Sequence, residues 1–192
     1  MKKIVLTLLF FTTVFAQTSA MQLFDESRQA LSNGNLELAG EKIRAAIDAD
    51  KGNDQLRKEF DRLNGLRNKA NNSNRAVQDG RFDDAIIGFK EVLDSIPKYI
   101  PALFGLAKAH EGKKDYTSAI TYYKQSLSLD SSHEDSKKSI QNIAKKLYNN
   151  ANKDYQNGDL EGAMSKYKQV LSINSRIYQA HHQLGVLYKK DG

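Results

Sequence analysis

Apolar and polar positions recur along this chain in four phased segments, each a turn followed by an amphipathic stretch. A large apolar residue follows the turn, and an alanine stands three positions later. A large side chain comes four positions after the alanine, and a smaller one three positions after that. The four sets are Leu36, Ala39, Ile43 and Ala46; Phe82, Ala85, Phe89 and Val92; Tyr116, Ala119, Tyr123 and Ser126; Leu160, Ala163, Tyr167 and Val170. Because positions i, i+4 and i+7 share one face of a helix, each set predicts a helix with one buried stripe.

Three of the four turns carry a glycine, at Gly34, Gly80 and Gly158. Glycine adopts at little cost the positive φ that ends a helix, so each turn predicts a preceding helix and hence a helical hairpin. The alanine on the second helix allows the two helices to approach closely. A single hairpin cannot bury its apolar face, so the four copies are expected to stack into a solenoid.

The copy at residues 100–133 resembles the tetratricopeptide repeat (TPR) family. It carries Leu103, Leu106, Ala107, Asp115, Tyr116, Ala119, Tyr123 and Leu127 at the family's spacing, and the step from Phe82 to Tyr116 is 34 residues, the family period. The resemblance covers nearly all of the chain after residue 20 and implies an all-α, right-handed superhelical solenoid of helix-turn-helix repeats. The departures are His110 and Ser131, in place of an aromatic residue and proline, and Asn72 and Asn150, where leucine is common.

Long and short steps alternate between the copies, since Leu36 to Phe82 is 46 residues and Tyr116 to Leu160 is 44. The extra residues have helical periodicity, so we interpret them as lengthened first helices, with separate short helices as the alternative, especially near Gly65. Ser131 and Glu134 have the spacing of a capping box at the start of the second extension. The resulting division is TPR 1 at 21–52, an extension at 53–65, TPR 2 at 66–99, TPR 3 at 100–133, an extension at 134–143, TPR 4 at 144–177, and the first helix of an incomplete fifth repeat at 178–192.

A second comparison aligns residues 70–80 with residues 148–158 at an offset of 78, with five identical positions in eleven. We therefore interpret the building unit as a pair of repeats, one long and one standard, that is duplicated. The last stretch stops at the position of a turn glycine, without a second helix. We expect either a fragment of a longer repeat protein or a terminal cap, and favour the fragment because terminal caps usually have a polar outer face, whereas Leu184, Val186, Leu187 and Tyr188 are largely apolar. As half a repeat, this stretch is expected to leave Leu184, Leu187 and Tyr188 partly bare and prone to self-association.

The first 20 residues have the layout of a secretory signal peptide: Lys2 and Lys3, then an apolar run from Ile4 to Ala16. Cleavage is expected after Ala16 or Ala20, with a slight preference for Ala16. The alternative, an uncleaved anchor, is disfavoured because the run would span only about 20 Å as a helix, against a hydrocarbon layer of ~30 Å. We therefore expect a periplasmic or secreted protein with no stable membrane insertion after cleavage.

The composition of the chain and its motifs limit the kinds of binding and catalysis that we expect. The formal net charge is +6, and +4 without Lys2 and Lys3, while basic and acidic residues are interleaved, so no nucleic-acid-binding stripe is predicted. The absence of cysteine excludes disulfides, thiol nucleophiles and cysteine-based zinc sites. No phosphate-binding loop, nucleophile elbow or His-Glu-x-x-His pair is present. We expect no enzyme, no cofactor and no metal, and a metal role for His133 beside Glu134 is a minor alternative.

Binding of a partner on the protein surface is the class of function that remains, because the first helices of stacked hairpins line a concave wall. By resemblance to TPR proteins, the wall would present aromatic, amide and basic side chains to a protein or peptide partner, an acidic one being favoured. The expected groove residues are Arg67, Asn74, Phe104, Lys108, Lys145, Tyr148, Asn152, Tyr155 and His182. The alternative for Phe104 and Tyr148 is packing between repeats.

The TPR subtype that clamps a chaperone's C-terminal carboxylate uses a lysine with an asparagine four residues later. The matching positions here are Phe24/Arg28, Ala70/Asn74, Phe104/Lys108 and Tyr148/Asn152, so that subtype is disfavoured. The leading hypothesis is an exported, non-catalytic scaffold in the cell envelope. The alternative is the N-terminal interaction or regulatory portion of a larger envelope enzyme or cell-wall-linked factor.

Overall fold

The computed structural model describes the backbone of residues 2–191 and the side chains of residues 17–190. Within that range the chain folds into nine helices and the turns that join them. They are α1 (Lys2–Ser32), α2 (Leu36–Ala49), α3 (Asp54–Gln78), α4 (Phe82–Ser95), α5 (Ile100–Gly112), α6 (Tyr116–Leu129), α7 (Glu134–Gln156), α8 (Leu160–Ile173) and α9 (Tyr178–Asp191). The expected all-helical stack of helix-turn-helix repeats is therefore confirmed.

The last three residues of each phased set occupy the core as predicted, whereas the first is buried at Leu36 and half-buried at Phe82, Tyr116 and Leu160. The alanines and the large residues that follow them are all fully buried, as are the smaller residues three positions later: Ala39, Ile43 and Ala46; Ala85, Phe89 and Val92; Ala119, Tyr123 and Ser126; Ala163, Tyr167 and Val170. One stripe of each second helix thus packs inside the repeats.

The turns between first and second helices share one backbone design. Gly34, Gly80 and Gly158 have φ between 76° and 82°, and Lys114 takes the same place in the third turn with φ 63°. In the first turn, Gly34 N–H donates to the Leu31 carbonyl and Asn35 N–H to the Ala30 carbonyl, both at 2.9 Å. This pattern satisfies the last carbonyls of the helix, so the glycine prediction is confirmed.

The two extensions belong to long helices, because α3 has 25 residues and α7 has 23, against 13 or 14 for α5, α6 and α8. The α3 helix passes through Gly65 without a break, so the lengthened-helix interpretation is confirmed. The capping-box prediction at Ser131 is wrong: His133 is the N-cap residue of α7, and its Nδ1 accepts from the Ser136 backbone N–H at 3.3 Å.

Residues 1–122 and residues 123–192 form two compact units, called unit 1 and unit 2. In unit 1, α1 packs on α2, α2 on α3, α3 on α4, and α4 on α5. In unit 2, α7 packs on α8 and α8 on α9. Within each unit, the second helix of a hairpin therefore packs both on the first helix of its own hairpin and on the first helix of the next repeat.

The expectation for the last helix is partly wrong. Leu184 is 7% exposed and Leu187 is 1% exposed, so both are buried, whereas Tyr188 is 53% exposed. The reason is that α9 turns the face bearing these leucines towards the preceding repeat, where α8 covers it. The partner surface expected at this end is thus reduced to aromatic side chains such as Tyr188.

The predicted signal segment lies largely outside the described side chains, which begin at Gln17. Further along α1, Ala20 is fully buried and Phe24 is 7% exposed, and both belong to the core of unit 1. None of the helices, over the residues that are described, is both long and apolar enough to cross a membrane.

Candidate functional site

A cavity of about 580 Å³ in unit 2 follows one side of α7 and ends at the turn between α8 and α9. We call it the α7 groove. Its lining is mainly aliphatic and aromatic, with three amides and two lysines: Leu127, Lys137, Ile140, Gln141, Ala144, Lys145, Tyr148, Ile173, Asn174, Ile177 and Gln179. This volume falls within the ~300–1,000 Å³ usual for binding pockets.

The α7 helix uses two of its faces. Positions 137, 141, 144 and 148 follow one another at helical spacing and line the groove. On another side of the helix, Ser136, Ile143 and Leu147 are buried in the repeat. The extension therefore anchors α7 with one face and forms a wall of the groove with the other.

Positive charge lies along this wall. Lys137 Nζ is 2.8 Å from Glu134 Oε1, and this hydrogen bond holds the pKa of the Glu134 carboxyl below its usual value. Lys145 is exposed and makes no ion pair within the described part of the chain. None of the groove residues, all of them described, carries a carboxylate, so the groove favours an anionic group.

Tyr148 closes the groove at its C-terminal end and is held by an aromatic cluster. Its ring meets the Tyr167 ring edge-on, with centroids 5.7 Å apart, and the buried Tyr167 hydroxyl donates to the amide oxygen of Asn152. Burial, followed by the nearby Tyr148 and Tyr155, raises the pKa of Tyr167. Tyr148 is therefore both a packing residue and a groove residue, and the Asn152 oxygen is engaged inside the protein.

The other predicted groove residues of unit 2 lie on α7 and α9. Tyr155 accepts a hydrogen bond from Lys190 Nζ at 2.8 Å, and the same ammonium lies 4.7 Å from the ring centroid. His182 is exposed, with its ring 6.4 Å from that of Tyr178. Of the nine predicted residues, Lys145 and Tyr148 are the two that line the α7 groove.

The predicted residues of unit 1 are placed differently. Arg67 is half-buried and its guanidinium lies against Gly40 of α2, where a Cβ would come within 2.8 Å of Nη2. Asn74 is exposed on α3. Phe104 is half-buried, with the Lys108 ammonium 6.0 Å from its ring centroid. The binding role of all nine residues stays a prediction.

Sequence reasoning missed most of the groove lining, although the offset of 78 contained a signal. The position of Lys137 corresponds to Glu59, and that of Ile140 to Arg62. Arg62 donates to both Glu59 oxygens, at 2.8 and 2.7 Å, beside a cavity of about 520 Å³ in unit 1. In unit 1 these two positions thus form an ion pair whose charges neutralise each other, whereas in unit 2 they carry one aliphatic and one cationic side chain.

Tyr99 marks a further difference, because its counterpart at offset 78 is the groove residue Ile177. Tyr99 is 5% exposed and its hydroxyl donates to Glu37 Oε1 at 3.1 Å. Burial, and then the Glu37 carboxylate, raise the pKa of this phenol far above its ordinary value.

The raised pKa of Tyr99 leads to a testable pH dependence. Above about pH 10 the unfolded chain loses the phenol proton while the folded chain keeps it, so stability falls as pH rises, by up to ~1.4 kcal/mol per pH unit. Tyr99→Phe should remove this contribution. Urea denaturation of both proteins at pH 9 and pH 11 measures it, and an equal loss in both would contradict the assignment.

A second cavity, about 780 Å³, lies between α3 and α4 of unit 1 and is polar. It includes Asn72, the departure from the repeat pattern. Most of its charges pair within the protein, since Arg81 contacts Asp79 at 3.0 Å and Asp84 at 2.9 Å. Lys69 contacts Glu91, whereas Arg75 makes no ion pair in the described part of the chain. Because Asp79 and Asp84 line it, this cavity favours an anionic group less than the α7 groove does.

The histidines of the described chain have structural contacts and belong to no metal cluster. Within the described residues no three histidine or carboxylate side chains are grouped to hold a metal ion. His133 caps α7, as above, and His110 Nδ1 lies 3.0 Å from Asp115 Oδ2 while its ring stacks on Tyr122 at 5.4 Å. Both histidines thus have structural contacts.

Comparisons with known proteins agree with this architecture. Family models described as TPR repeat and tetratricopeptide repeat match residues 151–192 and 100–133. Photosystem I assembly protein Ycf3 from Prochlorococcus marinus strains NATL1A and NATL2A is 33% identical over 88 residues, or 46% of this chain and 46% of the relative. The chain thus spans about half the length of the curated relatives it matches.

Among solved structures, the P58(IPK) TPR domain superposes with a TM-score of 0.53 over 88% of this chain and 45% of that one. The two sequences are 13% identical, so this likeness concerns the fold.

Proposed function

Since this chain is a tetratricopeptide repeat protein, we propose that it is an exported, non-catalytic scaffold that holds a protein partner in the cell envelope. The observation that carries the proposal is the α7 groove, an apolar trough with a cationic side that the helical stack leaves open. The Prochlorococcus relatives are assembly proteins for photosystem I. For this chain we propose only the general role of holding a protein.

Export is supported by the N-terminal pattern, Lys2 and Lys3 before an apolar run. The burial of Ala20 favours one of the two cleavage sites. Cleavage after Ala20 would remove a side chain that packs in the core of unit 1, whereas cleavage after Ala16 keeps it. We therefore propose Gln17 as the first residue of the exported protein.

Photo-crosslinking in the organism of origin tests both parts of this proposal. A tagged chain would carry a photoreactive phenylalanine at Gln141, which lines the groove, or at Gln125, an exposed glutamine of α6 outside the lining. We expect Gln141 to give a discrete crosslinked protein that Gln125 does not give. The intact mass of the chain recovered from the envelope should correspond to a start at Gln17.

Two outcomes would contradict the proposal. Equal crosslinking from both positions would remove the groove as the partner site. A chain that keeps residues 1–20 and remains inside the cell would remove export.

A further inference from the structure

We propose that the α7 groove receives an amphipathic α-helix of the partner, with acidic residues beside its apolar stripe. This inference rests on the proposed scaffold function and names the chemistry of the protein that is held. It is carried by the length of the groove, the polarity of its lining and the position of its two lysines.

The groove is long enough for a helix. From Lys137 to Tyr148 it follows 12 residues of α7, which are 11 steps or roughly 16 Å at about 1.5 Å per step. On the opposite wall, Ile173 and Ile177 come from the end of α8 and the turn before α9. Three turns of an incoming helix would fit along this trough, with side chains at i, i+4 and i+7 directed into it.

The lining favours a helix over an extended peptide. An extended peptide presents unpaired backbone N–H and C=O groups along its length, and these need partners when they are buried. The polar lining atoms other than the lysines belong chiefly to three amides, Gln141, Asn174 and Gln179, and the rest is largely apolar. A helix satisfies its own backbone and buries only its apolar stripe.

The lysines set the expected charge of the partner. Lys145 is about 80° around α7 from Lys137, given about 100° per residue, so it stands at the edge of the lining face. It has no ion pair in the described part of the chain. A glutamate or aspartate beside the apolar stripe of a docked helix would reach this edge, while a basic helix would be repelled.

Unit 1 supplies an internal comparison. The position of Ile140 is Arg62 there, and the position of Lys137 is Glu59, with which Arg62 forms a two-point ion pair. Because these two charges neutralise each other, the wall at this place in unit 1 is polar but offers no free charge. The acidic helix is therefore expected in unit 2 and not at the corresponding place in unit 1.

The test uses fluorescein-labelled synthetic helices of about 18 residues, with leucines at i, i+3, i+4 and i+7 spacing and flanking glutamates. A twin replaces the glutamates by lysines, and a third peptide carries two central prolines that break the helix. Fluorescence anisotropy with the full chain should give a dissociation constant about tenfold lower for the acidic helix than for either of the other two.

Variants separate a built groove from general attraction to a basic protein. Lys145→Glu should raise the dissociation constant about tenfold, whereas Lys138→Glu, the same charge change on an exposed neighbouring position outside the lining, should change it less than about twofold. Ile140→Arg introduces the residue found in unit 1 and adds positive charge. This substitution should weaken binding of the acidic helix, since it removes apolar surface from the wall of the groove. The helical circular dichroism signal of each variant checks that it is folded.

Several results would overturn the inference. These are equal effects of the two lysine variants, tighter binding by Ile140→Arg, or equal binding of the acidic and basic helices. If the proline peptide binds as tightly as the acidic helix, the occupant of the groove is an extended peptide and not a helix. If the wild-type chain self-associates and Lys145→Glu does not, the occupant is a second copy of this chain. If Gln141 crosslinks a partner while the acidic helix does not bind, the scaffold function stands and this inference fails.

Discussion

Replacing Phe89 by alanine is expected to lower the free energy of unfolding by about 3 to 5 kcal/mol. The Phe89 side chain is fully buried in unit 1. Its ring lies directly on the backbone of α5 at Gly105, where an added Cβ would come within 2.2 Å of Cζ. Because the ring fills the space left by a residue without a side chain, its removal leaves a cavity that neighbouring helices cannot easily close.

Urea denaturation followed by circular dichroism measures this loss. Ile87→Ala is the matched control, because Ile87 lies on the same helix and is 59% exposed. Its substitution should change stability by less than about 1 kcal/mol. A loss below about 1 kcal/mol for Phe89→Ala would contradict the central packing position of this ring.

Gly34→Ala is expected to be far more damaging than the same change at the other turn glycines. All three glycines have φ near 80°, where an alanine costs about 1–2 kcal/mol. At Gly34 a Cβ would also come within 2.2 Å of the Lys98 carbonyl oxygen, and this backbone atom cannot move as a flexible side chain can. Overpacking of this kind adds about 1–3 kcal/mol.

Gly80→Ala and Gly158→Ala are the controls, since no atom lies within 4 Å of the added Cβ at either place. They isolate the backbone penalty, which the third turn already tolerates at Lys114. Thermal denaturation of the three variants should therefore place Gly34→Ala clearly below the other two. Three equal melting temperatures would contradict the close approach of the first turn to Lys98.

The helical hairpins could be predicted because their signals are local. Ala85 and Phe89 are four residues apart on one helix, so their shared burial follows from helical geometry alone. Gly80 likewise marks its turn through a backbone preference of its own. The same locality made α3 and α7 predictable as long helices.

Features that depend on competition between neighbouring residues, or on contacts between repeats, could not be predicted from such local signals. Ser131 has capping chemistry, but His133 is next to the first residue of α7 and takes that role. Leu184 was expected to be bare because no second helix follows it, yet α8 already covers it. The groove residue Ile140 aligns with Arg62 of the other copy, and the sequence alone does not show which side chains lie across from either of them.

A methyl NMR titration of the chain with the acidic helix tests the central claim, that unit 2 holds a protein segment in the α7 groove. The account predicts concentration-dependent shifts at Ile140, Ile173 and Ile177, which line the groove. Ile143, fully buried within the repeat, and Ile87, exposed in unit 1, should stay nearly unchanged. Shifts spread equally over all five methyl groups, or centred on Ile87, would contradict it.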